Sequence, residues 1–187
     1  MRHATVYRGV ININRPKTIR GKQSKKLINN LSARDKILVE LGIKSGLRIS
    51  DLLNLKVEDI KRTMTIYETK SKRKRTFKIG KKLYANLKSL SVCKSDSDFI
   101  FHSEAKTGKH VHRSTIHRRI KKALQGLNFD CSAHSTRKLY AQKIYKKTGS
   151  VKKVQKAMNH QRITTTATYL DINVDKLIKG VKHGKRN

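Results

Sequence analysis

The chain has 187 residues, which is enough for one domain with its own hydrophobic core. Lys and Arg total 46 against 12 Asp and Glu, a formal charge of +34, which indicates a polyanionic partner and favours nucleic acid over an anionic membrane. No run of about 18 apolar residues and no apolar signal sequence is present, so we expect no membrane association and a cytoplasmic, DNA-associated protein.

Residues 1–30 form the first segment, which is basic and poor in apolar residues. It contains Pro16, the only proline of the chain. We expect a flexible N-terminal arm, which either tracks DNA or is simply a solvated tail.

Two short helices are predicted next, on either side of an arginine. Residues 32–44 place apolar side chains around a helix that begins after Ser32, a good N-cap, and ends at Gly46. Ser50 begins the next helix, with Asp51 in its first turn. Arg48 lies at the junction, where a long cation can be directed at a ligand.

Residues 64–68 and 76–79 alternate in polarity and predict two strands joined by a basic hairpin turn over residues 69–75. The turn carries Lys70 and four residues expected to contact DNA phosphates. These are Lys72, Arg73, Lys74 and Arg75.

Residues 83–90 predict an amphipathic helix, and residues 99–101 a short buried segment. Residues 115–124 predict a helix whose outer face is basic and could lie along the duplex backbone or in the major groove. The DNA-contacting candidates here are Arg113, Arg118, Arg119, Lys121 and Lys122.

No disulfide framework or metal site is expected, because two cysteines and an unpatterned set of histidines match no ligand motif. The histidines are His102, His110, His112 and His117.

The stretch 133–170 carries the most reactive side chains. Ser132 or Ser135 can cap a helix that ends at Gly149, and Ser150 opens a second one. A run of threonines, 164–166, predicts a turn or frayed helix start before a tyrosine. The reactive side chains of this stretch are those of His134, Arg137, His160 and Tyr169. A lone Tyr or His is usually a core or surface residue, but this set can attack a phosphodiester without a carboxylate cluster.

Four segments together resemble the tyrosine recombinase, or phage integrase, family over residues 31–172. GIKSGLRISDLLNLKVEDI is similar to its first arginine box, and Lys70 with its basic sequel to its β-hairpin lysine. His134-Ser135-Thr136-Arg137 is similar to its H-x-x-R box, and Met158-Asn159-His160 with Tyr169 to its last box and nucleophile. The resemblance implies the catalytic-domain fold of that family, which agrees with the mainly α fold and small antiparallel sheet (α+β) predicted from the pattern.

The resemblance also implies a role for each residue. Arg48 and Arg137 would neutralise the phosphate oxygens, and Tyr169 would attack to give a 3′-phosphotyrosine. His134 would assist the attack, Lys70 would protonate the leaving 5′-oxygen, and His160 would hydrogen-bond a phosphate oxygen. No ATP, metal or other cofactor would be needed, since the covalent link conserves the bond energy.

Partners follow from the same resemblance: double-stranded DNA, a homotetramer on paired sites, and accessory DNA-bending proteins. The source would be bacterial, archaeal or a phage or other mobile element.

Residues 173–187 carry an apolar stripe, Val174, Leu177, Ile178 and Val181, which either packs on its own core or exchanges between protomers. The separate N-terminal DNA-clamping domain of the family is not expected here, and Asn159 replaces its usual glycine, a change that left-handed geometry tolerates.

Three functions remain open from the sequence. The first is a site-specific recombinase for integration, excision or inversion. The second is a type IB topoisomerase, which relaxes DNA without a second site. The third is a non-catalytic DNA-binding relative, which would bind without forming a covalent adduct.

Overall fold

The computed structural model describes residues 21–129 and 131–170. Within these ranges the chain forms eight α-helices, a two-stranded antiparallel sheet and a 3-10 turn over Val57–Asp59. The helices are α1 (Gly21–Asn29), α2 (Ala33–Ser45), α3 (Ile49–Leu53), α4 (Lys81–Ser89), α5 (Arg113–Ala123), α6 (Ala133–Thr148), α7 (Val151–Met158) and α8 (Ile163–Tyr169). The strands are β1 (Thr63–Glu68) and β2 (Arg73–Lys78). The mainly α fold with a small antiparallel sheet is confirmed. No helix in the described part of the chain is long and apolar enough to cross a membrane.

Helix α2 lies at the centre of the larger core. Ser32 caps it by accepting a hydrogen bond from the amide of Asp35, as predicted, and Gly46 ends it in the left-handed conformation. Leu38 and Leu41 are fully buried on it, and α1, α3, α4 and α6 all pack around it. Both ends of α2 are therefore fixed by caps, and its C-terminus holds the chain that continues to Arg48 in a defined position.

A smaller core joins the last three helices. Ala141, Val154 and Met158 are completely buried there, with Leu170 at its edge. The predicted stops and starts are confirmed: Gly149 ends α6 in the left-handed conformation, and Ser150 caps α7. This cluster holds α8, which carries Tyr169, against α6 and α7.

Two expectations need correction, and for a third the structure decides between two alternatives. The predicted arm 1–30 includes a helix, α1, whose Leu27 is buried in the main core, so the helix is anchored by packing. The hairpin turn is shorter than predicted, because Arg73, Lys74 and Arg75 already belong to β2. Of the two alternatives for residues 164–166, a turn or a frayed helix start, the structure has the helix start: they lie in the first turn of α8, where Thr166 is buried and its hydroxyl hydrogen-bonds the ring of His160.

Residues 1–20 of the predicted arm and the apolar stripe of the predicted tail 173–187 lie outside the described residues.

Candidate active site

The junction between α2 and α3 positions the first arginine. Gly46 has a φ of +66°, and a Cβ at this position would lie 2.2 Å from the ring of Tyr140, so only glycine fits. The chain then extends through Arg48, the N-cap of α3, whose side chain stays partly exposed. Its Nη1 donates to Glu68 at 2.8 Å and lies 3.9 Å from Asp51. One nitrogen of the guanidinium is thus held by carboxylates.

The start of α6 positions a histidine and the second arginine. Ser132 and Ser135 form a reciprocal capping box, and the Ser132 hydroxyl accepts a bond from the amide of His134. His134 is exposed at this end of the helix, whereas Arg137, one turn later, is almost completely buried. Arg137 donates through Nη1 to the carbonyl of Gly46 and through Nη2 to that of Met158, 3.5 Å away.

The end of α7 positions the second histidine. Asn159 closes the helix with a φ of +53°, the left-handed geometry expected of it. Gln155 donates to the carbonyl of His160 at 3.2 Å, and the His160 ring shares a 3.0 Å hydrogen bond through Nδ1 with Thr166. The rings of His160 and Tyr169 lie 5.0 Å apart between centroids, so the nucleophile candidate is in contact with this histidine.

The hairpin brings a buried acid and the lysine candidate to the same place. Glu68 ends β1 with no exposed surface, and Arg75 on β2 contacts it at 2.7 Å. Lys70 is exposed in the four-residue turn that follows Glu68. The backbone of this turn is tied down, because the amide of Thr69 donates to Asp51 at 3.1 Å and that of Lys72 to the Glu68 carbonyl at 2.9 Å.

The cations of this cluster lower the pKa values of both histidines. Burial and the charges of three arginines, Arg137, Arg48 and Arg75, together lower the pKa of His160 to about 4, against the opposing effect of Glu68. The pKa of His134 is also below its ordinary value, through partial loss of water around the ring and the charges of Arg137 and of neighbouring cations. Both histidines are therefore neutral at pH 7 and can accept or donate a single proton.

The pKa of Arg137 is lowered by burial and by the charge of Arg48, while Tyr169 raises it, so the phenol lies within reach of the electrostatic field of this guanidinium. Arg48 and Arg75 both pair with the buried Glu68, and Arg48 also lies 3.9 Å from the buried Asp51, whereas Arg137 donates to backbone carbonyls. These three cations outnumber the two carboxylates, so the site carries a net positive charge near a phenol and two neutral imidazoles. Such a site suits a phosphodiester, whose negative charge it would partly neutralise.

The structure therefore brings together five of the six predicted catalytic residues in one electrostatic cluster and places the sixth, Lys70, in the adjoining turn. Of the predicted DNA-contacting residues, most are exposed. These are Lys72, Arg73, Lys74, Arg113, Arg118, Lys121 and Lys122.

Two of the DNA-contacting candidates lie elsewhere. Arg75 is buried against Glu68 and donates to the carbonyl of Ser45 at 3.0 Å, so the expectation that it faces DNA is corrected. Arg119 is half-buried and directs one nitrogen to Asp35 at 3.3 Å, on the side of α2.

Sequence reasoning missed Glu68 and treated Asp51 only as a first-turn charge. A signal was available for Glu68. Side chains alternate between the two faces of a strand, so Glu68 lies on the same face of β1 as Met64 and Ile66, which point to the core. An acid at a buried strand position implies a buried cation partner, and Ile66 pairs directly with Arg75 across the sheet. Among the described residues, no group of His, Cys, Asp and Glu could hold a metal ion, and Cys93 and Cys131 are both free.

Comparison with known proteins decides the family. The profile of the phage integrase family matches residues 17–176. The chain belongs to this family. One relative is the "Probable integrase/recombinase YoeC" of Bacillus subtilis (strain 168), with 28% identity over 154 residues that cover 81% of this chain and 84% of YoeC. Other curated tyrosine recombinases are longer, and this family member spans about half of their length.

Solved structures agree with the fold. The crystal structure of XerA recombinase superimposes with a TM-score of 0.72 at 21% identity, covering 92% of this chain and 66% of XerA. XerH site-specific recombinase bound to palindromic difH substrate, in a post-cleavage complex, gives a TM-score of 0.67 at 19% identity, covering 91% of this chain and 54% of XerH. The expected tyrosine recombinase catalytic-domain fold is confirmed.

Proposed function

We propose that this family member is a site-specific DNA recombinase that cleaves and rejoins DNA through a 3′-phosphotyrosine at Tyr169, without ATP or metal. The observation that carries the proposal is the contact of the Tyr169 ring with His160, two residues beyond the Met158 carbonyl that accepts from the buried guanidinium of Arg137. A phenol next to a fixed cation and a neutral imidazole has what an attack on phosphorus needs: a charge to stabilise the developing phosphorane and a group to hold its oxygens.

The two arginines would bind the scissile phosphate differently. Arg48 is partly exposed and uses Nη1 for its carboxylate contacts, so its remaining donors can reach the non-bridging oxygens. Arg137 is held by two backbone carbonyls beneath the surface and would act mainly as a fixed positive charge next to Tyr169. A preorganised charge in a buried site costs no reorganisation when the transition state forms.

The histidines and the lysine would move or hold protons. His160 is neutral, and if Thr166 donates to its Nδ1, its Nε2–H can donate to a phosphate oxygen. His134, exposed and neutral, can accept the proton of Tyr169 as it attacks. Lys70, in the turn, would protonate the departing 5′-oxygen, so cleavage leaves a free 5′-hydroxyl and a covalent 3′-phosphotyrosine.

DNA is the proposed partner, bound through the exposed basic residues of the hairpin and of α5. Recombination would take place between two sites held by a tetramer of this chain, with residues 173–187 exchanged between protomers and with DNA-bending proteins as accessories. The setting would be the cytoplasm. These proposals follow the resemblance and the formal charge of +34.

A covalent-adduct assay tests the proposal. Purified protein is incubated in EDTA with nicked duplexes from the DNA flanking its own gene, and SDS-resistant adducts are counted. We expect an adduct with the wild type and with Tyr84→Phe, a matched control on α4, and none with Tyr169→Phe. Adduct formation by Tyr169→Phe, or DNA binding with no adduct in the wild type, would contradict it.

A second assay separates recombination from relaxation. Exchange of strands between two labelled sites is expected, and it should depend on both sites being present. Relaxation of a plasmid carrying one site or none, with no exchange between two sites, would instead assign the chemistry to a topoisomerase.

A further inference from the structure

Glu68 is a completely buried carboxylate that ends β1, two residues before Lys70. Burying an ionised carboxylate is costly unless it is paired and hydrogen-bonded. Here the contacts are numerous: Arg48 at 2.8 Å, Arg75 at 2.7 Å, Ser71 at 3.0 Å and Asn159 at 3.0 Å. Burial alone would raise the pKa of Glu68, but Arg75 and the two side-chain donors hold it below its ordinary value, so the group is ionised at pH 7.

The partners of Glu68 lie on separate elements of the active site. Oε2 accepts from Arg48, at the start of α3, and from Ser71, the residue after Lys70. Oε1 accepts from the side chain of Asn159, the residue before His160. One carboxylate therefore fixes a phosphate-binding arginine, the turn of the lysine and the backbone that carries a histidine. The most distant of these partners, Asn159, is 91 residues from Glu68 in sequence.

Arg75 has a different place in this arrangement. Its Nε lies 2.7 Å from Oε1 of Glu68, and its Nη1 donates to the carbonyl of Ser45, next to the carbonyl of Gly46 that accepts from Arg137. Two buried guanidinium groups thus sit on the C-terminal end of α2, where the partial negative charge of the helix dipole stabilises cations. Arg75 anchors Glu68 to the rigid part of the fold, and Glu68 holds the groups that act on DNA.

We propose that Glu68 is a positioning residue for DNA cleavage: its carboxylate sets the relative positions of Arg48, Lys70 and His160. The inference rests on the proposed function, since it concerns the rate of that reaction. A purely structural role predicts that loss of Glu68 lowers stability and leaves cleavage by the folded molecules unchanged. A positioning role predicts slow cleavage by a folded protein that still binds DNA, because a shift of about 1 Å in a reacting group can cost about 100-fold.

The test compares Glu68→Gln with Glu58→Gln, a matched loss of the same charge at an exposed position. The rate constant of adduct formation is measured at saturating protein, below the unfolding transition, together with the Kd for the same nicked duplex. We expect Glu68→Gln to cleave about 100-fold more slowly with a Kd within about threefold of the wild type, and Glu58→Gln to cleave normally. Cleavage at the wild-type rate by folded Glu68→Gln would overturn the inference.

Two milder variants keep the test open should Glu68→Gln fold poorly. Asn159→Gly removes the amide yet retains a residue suited to the left-handed backbone, and Ser71→Ala removes one donor at the turn. Each should slow cleavage about 3- to 10-fold, and Asn159→Gly should cause less than a twofold further loss when combined with Glu68→Gln. Wild-type rates in both single variants, or effects that multiply fully in the combination, would count against a shared network.

A third readout does not depend on activity. In NMR spectra, Glu68→Gln should shift the ring signals of His160 and the Nε signal of Arg48, and the His160 ring should titrate at a lower pH than in the wild type. Unchanged signals would overturn the inference. If the signals shift but the wild type forms no adduct, the positioning stands and the proposed function fails, so the two failures are distinguishable.

Discussion

Arg75 gives the sharpest contrast between burial and DNA contact, because Arg73 lies two residues away on the same strand and is exposed. Truncation of Arg75 to alanine removes its ion pair with Glu68 and its bond to Ser45. Removing one partner of a buried pair costs about 3–5 kcal/mol, and because Glu68 retains Arg48 and Asn159 we expect the low end, about 3 kcal/mol. For a chain of this size, the melting temperature should fall by about 6–12 °C.

Urea unfolding and salt-dependent DNA binding, measured side by side, check this prediction. Arg73→Ala should change the free energy of unfolding by less than about 0.5 kcal/mol. It should also reduce the slope of the logarithm of the DNA-binding constant against the logarithm of the salt concentration by about one, as expected for one lost phosphate contact. Arg75→Ala should instead lower the free energy of unfolding by about 3 kcal/mol and leave the salt slope of DNA binding unchanged. If Arg75→Ala unfolds at the wild-type urea concentration and weakens DNA binding as much as Arg73→Ala does, Arg75 is a DNA contact and not a buried partner of Glu68.

Three further predictions use matched positions. Gly46→Ala should lose about 1–3 kcal/mol more stability than Gly149→Ala, because both have positive φ but only at Gly46 would a Cβ collide with a ring; equal losses in urea unfolding would contradict this. His160 has a folded-state pKa of about 4 against an ordinary value of 6.5, so the unfolded chain binds the extra proton and stability should fall as pH drops from 6.5 to 4; His160→Gln should reduce that slope in urea unfolding, and an unchanged slope would refute the assignment. Alanine at both Arg113 and Arg118, which are exposed on α5, should reduce the salt slope of DNA binding by about two, and an unaltered slope would remove α5 from the interface.

Local chemistry explains why much of the fold was predictable. Ser32, Gly46, Gly149 and Ser150 act within one turn of the chain, and their caps were predicted at the residues where the structure has them. The apolar spacing of α5 was equally reliable, since Ile116 and Ile120 are buried as expected. Caps and periodicity depend on neighbours a few residues away, so the sequence alone carries that information.

The errors share a different cause. The burial of Arg75 depends on Glu68 and on the end of α2, 30 residues earlier, which no local pattern reveals. Likewise, α1 is held against the core through Leu27, which the basic composition of residues 1–30 does not indicate. Tertiary contacts override local propensity at these places. The candidate site was found from its reactive residues, whereas the acid that joins them was hidden in a strand.

The most direct measurement maps the covalent link itself. The adduct formed in EDTA is digested with nuclease and protease, and the peptide that carries the residual nucleotide is sequenced by mass spectrometry. We expect a nucleotide joined through a 3′-phosphate to Tyr169 within the peptide that follows Arg162. A nucleotide on Tyr140 or Tyr145, or on any serine, would contradict the assignment of Tyr169 as the nucleophile.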